Sequence, residues 1–468
     1  MQKLKFVHLG ADDSFTVLPV KFIVSTTQFA VAGIVLFGTS ISIAKADACL
    51  DLFQRPVWLP ELSVGVKESY DNNIFESGVS IPPAYSVPTG SVAALKDVSS
   101  WITAVSPRVD INLAPLKGDL KFFRALDVAY VPDFVIYHDQ DSESYNAQRF
   151  STVLKAVSDP VSISADNVFT YVDGSDFGPV YPGGLLSAYA TVADRERREQ
   201  IIDRANVAIQ FNHENWFIRP TGTLLYYDML TAKLNVPGYQ NYADRDDVNG
   251  GGDVGYKITS SLAATIGYRY GHQQQEQYSF SLDSSPSDYQ RVLLGLEGKP
   301  WHWLDVKILG GPDFRNYAGN SLTHITPVSD THMITYYGEA LLVATFTPKD
   351  TLTFKYKQWQ WLSSTGKVPY FDSTYDLSYH RKLTSKLGFD LGGRILYWDY
   401  TSGNLSTCQR QDLQYTASAT LGYAFNTRLN VSATYAYDWG RNDEDGIVNP
   451  QNREFGHQVI SLAAQWKF

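Results

Sequence analysis

The chain ends Val459-Ile460-Ser461-Leu462-Ala463-Ala464-Gln465-Trp466-Lys467-Phe468. Ile460, Leu462, Ala464, Trp466 and Phe468 occupy every second position, and Ser461, Ala463, Gln465 and Lys467 fill the gaps. Successive side chains of a strand point to opposite faces, so this period of two predicts a strand with one greasy face and one wet face. No helix of period 3.6 would gather these residues on one side.

The same alternation recurs upstream. Leu262, Ala264, Ile266, Tyr268 and Tyr270 alternate with Ala263, Thr265, Gly267, Arg269 and Gly271. Leu413, Tyr415, Ala417, Ala419, Leu421 and Tyr423 do so with Gln414, Thr416, Ser418, Thr420 and Gly422. The pattern predicts about 18 strands, from 61–75 to 457–468. Many run past ten residues, which is long for a soluble sheet and suits a tilted membrane strand. The connections alternate between short ones, such as 213–214, 348–349 and 426–427, and long ones, such as 172–203, 231–246 and 441–456. Short turns at one rim and long loops at the other are the signature of a transmembrane barrel. The expected fold class is all-β: a transmembrane antiparallel up-and-down β-barrel of about 18 strands. Pro107, Pro132 and Pro220 fall inside strands of a sheet that has no edge to hide them. They predict bulges, strand ends or a shifted register. A 16-strand barrel behind an N-terminal periplasmic segment stays open as the alternative count.

At this point the sequence resembles bacterial outer-membrane β-barrel proteins, whose last strand ends on an aromatic residue read by the barrel-assembly machinery. The resemblance implies that Ile460, Leu462, Ala464, Trp466 and Phe468 are an assembly signal. It also implies that outer-membrane lipid and the assembly machinery are partners. The stretch from Leu62 to Phe75, with its Tyr70-Asp71-Asn72-Asn73, is similar to the opening strand of a β-barrel porin group, some of whose members accompany exopolysaccharide export. This resemblance implies a Gram-negative outer-membrane location and transport of small hydrophilic solutes. The trimeric state of porins makes a homo-trimer the expected assembly.

Composition excludes several classes. Hydrophobic residues at 44% rule out disorder. Charged residues are 19% of the chain, against about 25% in soluble domains, while aromatics reach 14%. A net charge of -10 argues against nucleic acid as a partner, since phosphate binding needs a basic surface. Two cysteines exclude a disulfide scaffold and a multi-cysteine metal centre. No cofactor or metal is expected. Lys3, Lys5 and Lys21 precede an apolar stretch over 22–43 that ends in Ala44-Lys45-Ala46, an A-x-A cleavage pattern. Residues 1–46 therefore read as a secretory signal peptide and 47–468 as the barrel. A retained transmembrane anchor is the alternative.

A membrane sheet must close, because unpaired backbone groups cannot sit in lipid. At 16–18 strands closure leaves a water-filled lumen, and passive diffusion of small solutes follows most directly. Strand phase then selects the lumen side chains. Arg219, Arg269, Arg291, Lys355, Lys357, Lys386, Asp390 and Arg394 are the expected pore lining, biased to positive charge and so to anions. The competing reading makes them ion pairs between neighbouring strands. Connection 172–203 is the third long one, and in general porins the third outer loop narrows the pore. By loop order, Asp194, Arg195, Arg197 and Arg198 are candidates for a constriction, against a solvated surface loop. Trp359, Trp361, Trp398 and Tyr400 share the lumen phase, where they would stack sugars or belong to an interfacial girdle. Asp443-Glu444-Asp445-Gly446 lacks the ligand spacing of a calcium loop.

An enzyme is the rival from another class. His272, His324, His332 and His380 are available, but no G-x-S-x-G or other nucleophile motif accompanies them, so no catalytic residue is assigned. A barrel that exports polysaccharide with periplasmic partners is the closer alternative.

Overall fold

Residues that alternate wet and greasy form extended chain because only a strand gives each kind its own side. The computed structural model describes residues 55–74, 99–114, 122–174, 199–230, 244–276, 286–317, 332–362, 369–399, 409–445 and 455–468. Pro56–Phe468 forms one compact unit. The signal-peptide reading of 1–46 lies outside the described residues, as do Asp194, Arg195, Arg197, Arg198, His324 and Tyr400.

Eighteen strands are present among the described residues. They are β1 (Glu61–Asp71), β2 (Ser100–Asn112), β3 (Phe123–Tyr137), β4 (Tyr145–Ser158), β5 (Val161–Asp173), β6 (Gln200–His213), β7 (Trp216–Met229), β8 (Arg245–Thr259), β9 (Leu262–Gln275), β10 (Ser287–Trp301), β11 (Leu304–Tyr317), β12 (His332–Thr347), β13 (Asp350–Trp361), β14 (Tyr370–Lys382), β15 (Leu387–Asp399), β16 (Gln409–Ala424), β17 (Leu429–Asp445) and β18 (Phe455–Lys467). Each pairs antiparallel with its neighbours in sequence, and β1 also pairs with β18, from Ser63↔Lys467 to Asp71↔Val459. The sheet is a closed 18-stranded antiparallel barrel, and the alternative count of 16 falls away. Just past the β1–β18 ladder, the backbone N–H of Phe468 donates to the carbonyl of Leu62 at 2.9 Å.

The connections sort by rim. Residues 159–160, 214–215, 260–261, 302–303 and 348–349 join consecutive strands at one rim, together with 383–386 and 425–428. Connection 113–122 also belongs to this rim, the remaining connections lie at the other rim, and β18 runs toward the short-turn rim. Gly298, at φ 127, sits where the β10–β11 register shifts. A Cβ there would stand 2.0 Å from the Ser261 carbonyl oxygen. Only glycine accepts both that dihedral and that approach.

The three prolines cause no bulge. The β2–β3 ladder stops between Val105↔Phe134 and Val109↔Tyr130, and continuing that register sets Pro107 opposite Pro132. Two residues without N–H groups face each other across one seam, so the missing donors share a single short gap. Pro220 falls in a similar gap between Ala208↔Thr221 and Phe211↔Ile218. Pro312 falls in another, between Arg291↔Asp313 and Leu294↔Gly310. Side chains bridge the first gap, where Asp133 accepts from both Ser106 and Arg149.

The two faces differ as a bilayer requires. Ile218, Val254, Ile266, Leu294, Leu377, Leu391, Ile460 and Leu462 are exposed on the outside. Exposed rings border this apolar band: Trp101, Tyr336 and Trp439 toward the long-connection rim, and Trp216, Trp301, Phe346, Phe425 and Phe468 toward the other. Such girdles flank the lipid-facing belt of membrane barrels. Among the described residues no helix is long and apolar enough to cross a membrane. Inside, a small apolar cluster of Ile74, Ile102, Val135 and Tyr137 fills the wall near the long-connection rim.

Candidate functional site in the lumen

The inner face is fixed by contacts between strands that are not neighbours. Arg219 on β7 donates twice to Glu297 on β10, at 2.8 and 2.9 Å. Such a pair forms only across the curved inside of the wall. On β9 the same phase buries Thr265, Arg269 and Gln273 while Ile266, Tyr268 and Tyr270 stay exposed outside.

Two polar networks grow from this face. Toward the short-turn rim, Asp253 is shared by Arg219, at 3.0 Å, and Arg269, at 2.7 Å. Arg269 also donates to the carbonyls of Gly252 and Tyr268. Toward the other rim, Asp313 holds Arg291 at 2.8 Å and Arg315 at 3.0 Å. Arg315 donates to Gln273 at 2.6 Å, and Gln273 to Asp247 at 2.6 Å. The Tyr289 hydroxyl donates to Asp247 at 2.7 Å. The Arg291 guanidinium also lies over the rings of Tyr289 and Tyr337, at 4.0 and 4.4 Å. Charges this deeply buried persist because each is paired and hydrogen-bonded.

The expected lining residues therefore divide. Arg219, Arg269 and Arg291 face inward and are ion-paired. Arg394 also faces inward, and its Nε donates to Asp376 at 2.5 Å. Lys355 and Lys357 lie on the inner face of β13, and no carboxylate among the described residues stands within ion-pair distance of either. The Lys357 ammonium instead lies 4.2 Å from the centroid of Trp359. Asp390 accepts from the His380 ring at 2.6 Å. Lys386 sits in the turn before β15 rather than in the strand, and its ammonium donates to the Phe425 carbonyl at 3.3 Å.

Trp359 and Trp361 stack at 4.4 Å with planes 20° apart, and Arg245 covers Trp361 at 5.3 Å. These rings are inside, not in a girdle. Trp398, two strands away, has the same phase and no ring contact among the described residues. Sequence reading did not single out Asp247, Asp253, Asp313, Tyr289, Gln273 or Arg315. The signal for several was available, because Asp313, Arg315 and Tyr317 alternate with Pro312, Phe314 and Asn316.

One departure from a regular wall shapes the lumen. The β12–β13 ladder ends at Gly338↔Gln358, while β12 continues alongside β11 to His332↔Asn316. Beyond Gln358, β13 stays paired only to β14, as far as Trp361↔Tyr370. Its carbonyls accept instead from side chains of distant strands. Gln360 receives Gln273 at 3.1 Å and Arg315 at 3.4 Å, and Leu362 receives Arg245 at 2.8 Å. Gln360 and Leu362 are completely buried. This strand end has left the wall and lies across the inside of the barrel.

Two of the cavities among the described residues adjoin these networks. One of about 610 Å³ lies between β6–β8 and β13–β15 and is lined by Arg204, Arg245, Trp359, Trp361, Arg394 and Trp398, among others. The second, of about 650 Å³, lies nearer the short-turn rim and includes Lys155, Arg219, Arg269, Glu297 and Lys307. Asn206, Thr223, Asn249, Arg291, Tyr337 and Glu339 line both, so the cavities meet in series. The first has five basic and three acidic lining residues. Among the described residues no group of three or more His, Cys, Asp and Glu is placed to hold a metal.

No family model matches the chain, and no curated protein matches it. Among solved structures it is similar to OccK2 (OpdF) of Pseudomonas aeruginosa, solved in complex with glucuronate. That match has a TM-score of 0.39 and 11% identity over 87% of this chain and 98% of the other. It is also similar to the outer membrane protein OpdK of the same organism, with a TM-score of 0.36 and 10% identity over 87% and 99%. A third likeness is the siderophore receptor PirA of Acinetobacter baumannii, with a TM-score of 0.39 and 6% identity over 87% and 80%.

Proposed function

We propose that the protein is a porin-like channel of the bacterial outer membrane, through which small hydrophilic solutes diffuse passively. The observation that carries this reading is the pair of connected polar cavities inside a barrel whose outside is apolar. An 18-stranded barrel is too wide for side chains to fill, and a polar interior inside a lipid-facing wall is the layout of a water-filled pore. The alternating C-terminal strand, and the reading of residues 1–46 as a signal peptide, support delivery to that membrane through the assembly machinery.

The lining supports a mild preference for anions. Most inner arginines are neutralised by Asp253, Asp313, Glu297 or Asp376. Among the described residues, Lys355 and Lys357 have no acid at ion-pair distance, and only the Nε of Arg394 meets one. Unpaired cations at the wall attract counter-charge and bias permeation. A homo-trimer is the assembly we propose by analogy with porins. No role as an enzyme is proposed.

The test is permeation. Proteoliposomes should swell in isotonic arabinose and glucose, and more slowly in larger oligosaccharides. Vesicles that carry folded protein yet swell no faster than empty ones would move the export-associated barrel to the front.

A further inference from the structure

We propose that the main chain of Gln358–Leu362 is the element that narrows this channel and sets its size limit. The inference rests on the channel reading above and names the part that performs the selection. A regular wall would keep Gln360 and Leu362 in the ladder with β12. Instead the ladder stops at Gln358, both residues are fully buried, and the strand end spans the inside.

Backbone carbonyls that leave a ladder need other partners. Three are supplied, from three different strands: Arg245 on β8, Gln273 on β9 and Arg315 on β11. Arg315 is in turn held by Asp313, and its side chain is fully buried. The two arginine anchors are charge-assisted, which makes them stronger than neutral hydrogen bonds. The strand end thus stands as a bar fastened across the bore near the long-connection rim. What stays open on its β6–β7 and β14–β15 side is the cavity of about 610 Å³, and Trp359 faces that opening from the bar itself.

The experiment compares single-channel conductance of the full-length, detergent-folded protein with that of an Arg245→Ala/Arg315→Ala double variant. Releasing the bar should raise conductance about twofold and let larger oligosaccharides swell proteoliposomes. Unchanged conductance and an unchanged size limit in a folded double variant would overturn the proposal. Should the double variant fail to fold, Trp359→Cys decides, in a background with Cys49 and Cys408 replaced by Ser. A bulky thiol reagent should cut its current by about half or more, whereas at Lys355→Cys, lower on the wall, it should remove far less. Equal block at the two positions would also overturn it. Wild-type protein that never conducts would refute the channel reading instead, so the two failures are distinguishable.

Discussion

Tyr289 lies flat against Gly271, its directly paired residue on the neighbouring strand. A Cβ at Gly271 would stand 2.2 Å from the Tyr289 ring. The ring is completely buried, and its hydroxyl reaches Asp247, which also accepts from Gln273. The same device occurs at Phe217 on Gly255 and at Phe455 on Gly440, both also paired across strands. Glycine is used here to admit a ring against the wall.

Gly271→Ala should therefore push Tyr289 off its seat and break its bond to Asp247. Overpacking of this kind costs about 1–3 kcal/mol. The midpoint of urea unfolding, followed by the gel shift between folded and unfolded barrel, should fall. Gly422→Ala, where a Cβ meets nothing within 4 Å, should leave the midpoint unmoved. Equal midpoints for both variants would contradict this account of the glycine.

The charged lining should split in function as it does in geometry. Lys357→Ala and Arg394→Ala remove charge that the wall does not fully neutralise, so each should shift the reversal potential in a salt gradient toward cation selectivity. Arg291→Ala should act mainly on stability, because it leaves Asp313 buried with one cation fewer. Breaking such a pair costs about 3–5 kcal/mol. A reversal potential that responds only to Arg291→Ala would contradict the division.

His457 ties the closing seam. Its Nε2 lies 2.9 Å from Asp71 on β1 and its Nδ1 3.0 Å from Asp438 on β17, with the histidine itself on β18. Asp438 also accepts from Thr416 on β16. His457→Ala should lower stability by about 1–3 kcal/mol, the cost of leaving buried polar groups unmet. Unfolding midpoints at neutral pH check this, and an unchanged value would show that the backbone ladder alone closes the barrel.

How much of this was legible in the sequence differs by level. The fold was, because the bilayer reverses the usual faces and makes period two visible in nearly every strand. Sequence boundaries such as 161–171 and 334–347 fall within two residues of β5 and β12. The prolines misled because their gaps depend on what lies opposite, and Pro107 and Pro132 are distant in sequence. Lumen phase was legible for Arg219, Arg269 and Arg291, but their neutralisation was not, since Asp253, Glu297 and Asp313 reach them only through register. The inward strand end was invisible, because nothing in the alternation around Gln360 marks a departure from the wall.

The terminal strand makes its own prediction. Phe468→Ala leaves the backbone bond to Leu62 in place, so the folded barrel should be about as stable as before. Delivery should suffer if the final aromatic is read by the assembly machinery. The expected outcome is a marked fall in outer-membrane protein in cells, with normal refolding in detergent. Normal delivery would remove Phe468 from the assembly signal.

The measurement that bears most directly on the central claim is single-channel current from the purified, folded wild-type protein in a planar bilayer. An open lumen predicts stepwise increases of uniform size that scale with salt concentration. A heat-modifiable, fully folded barrel that inserts and yet passes no current would contradict it.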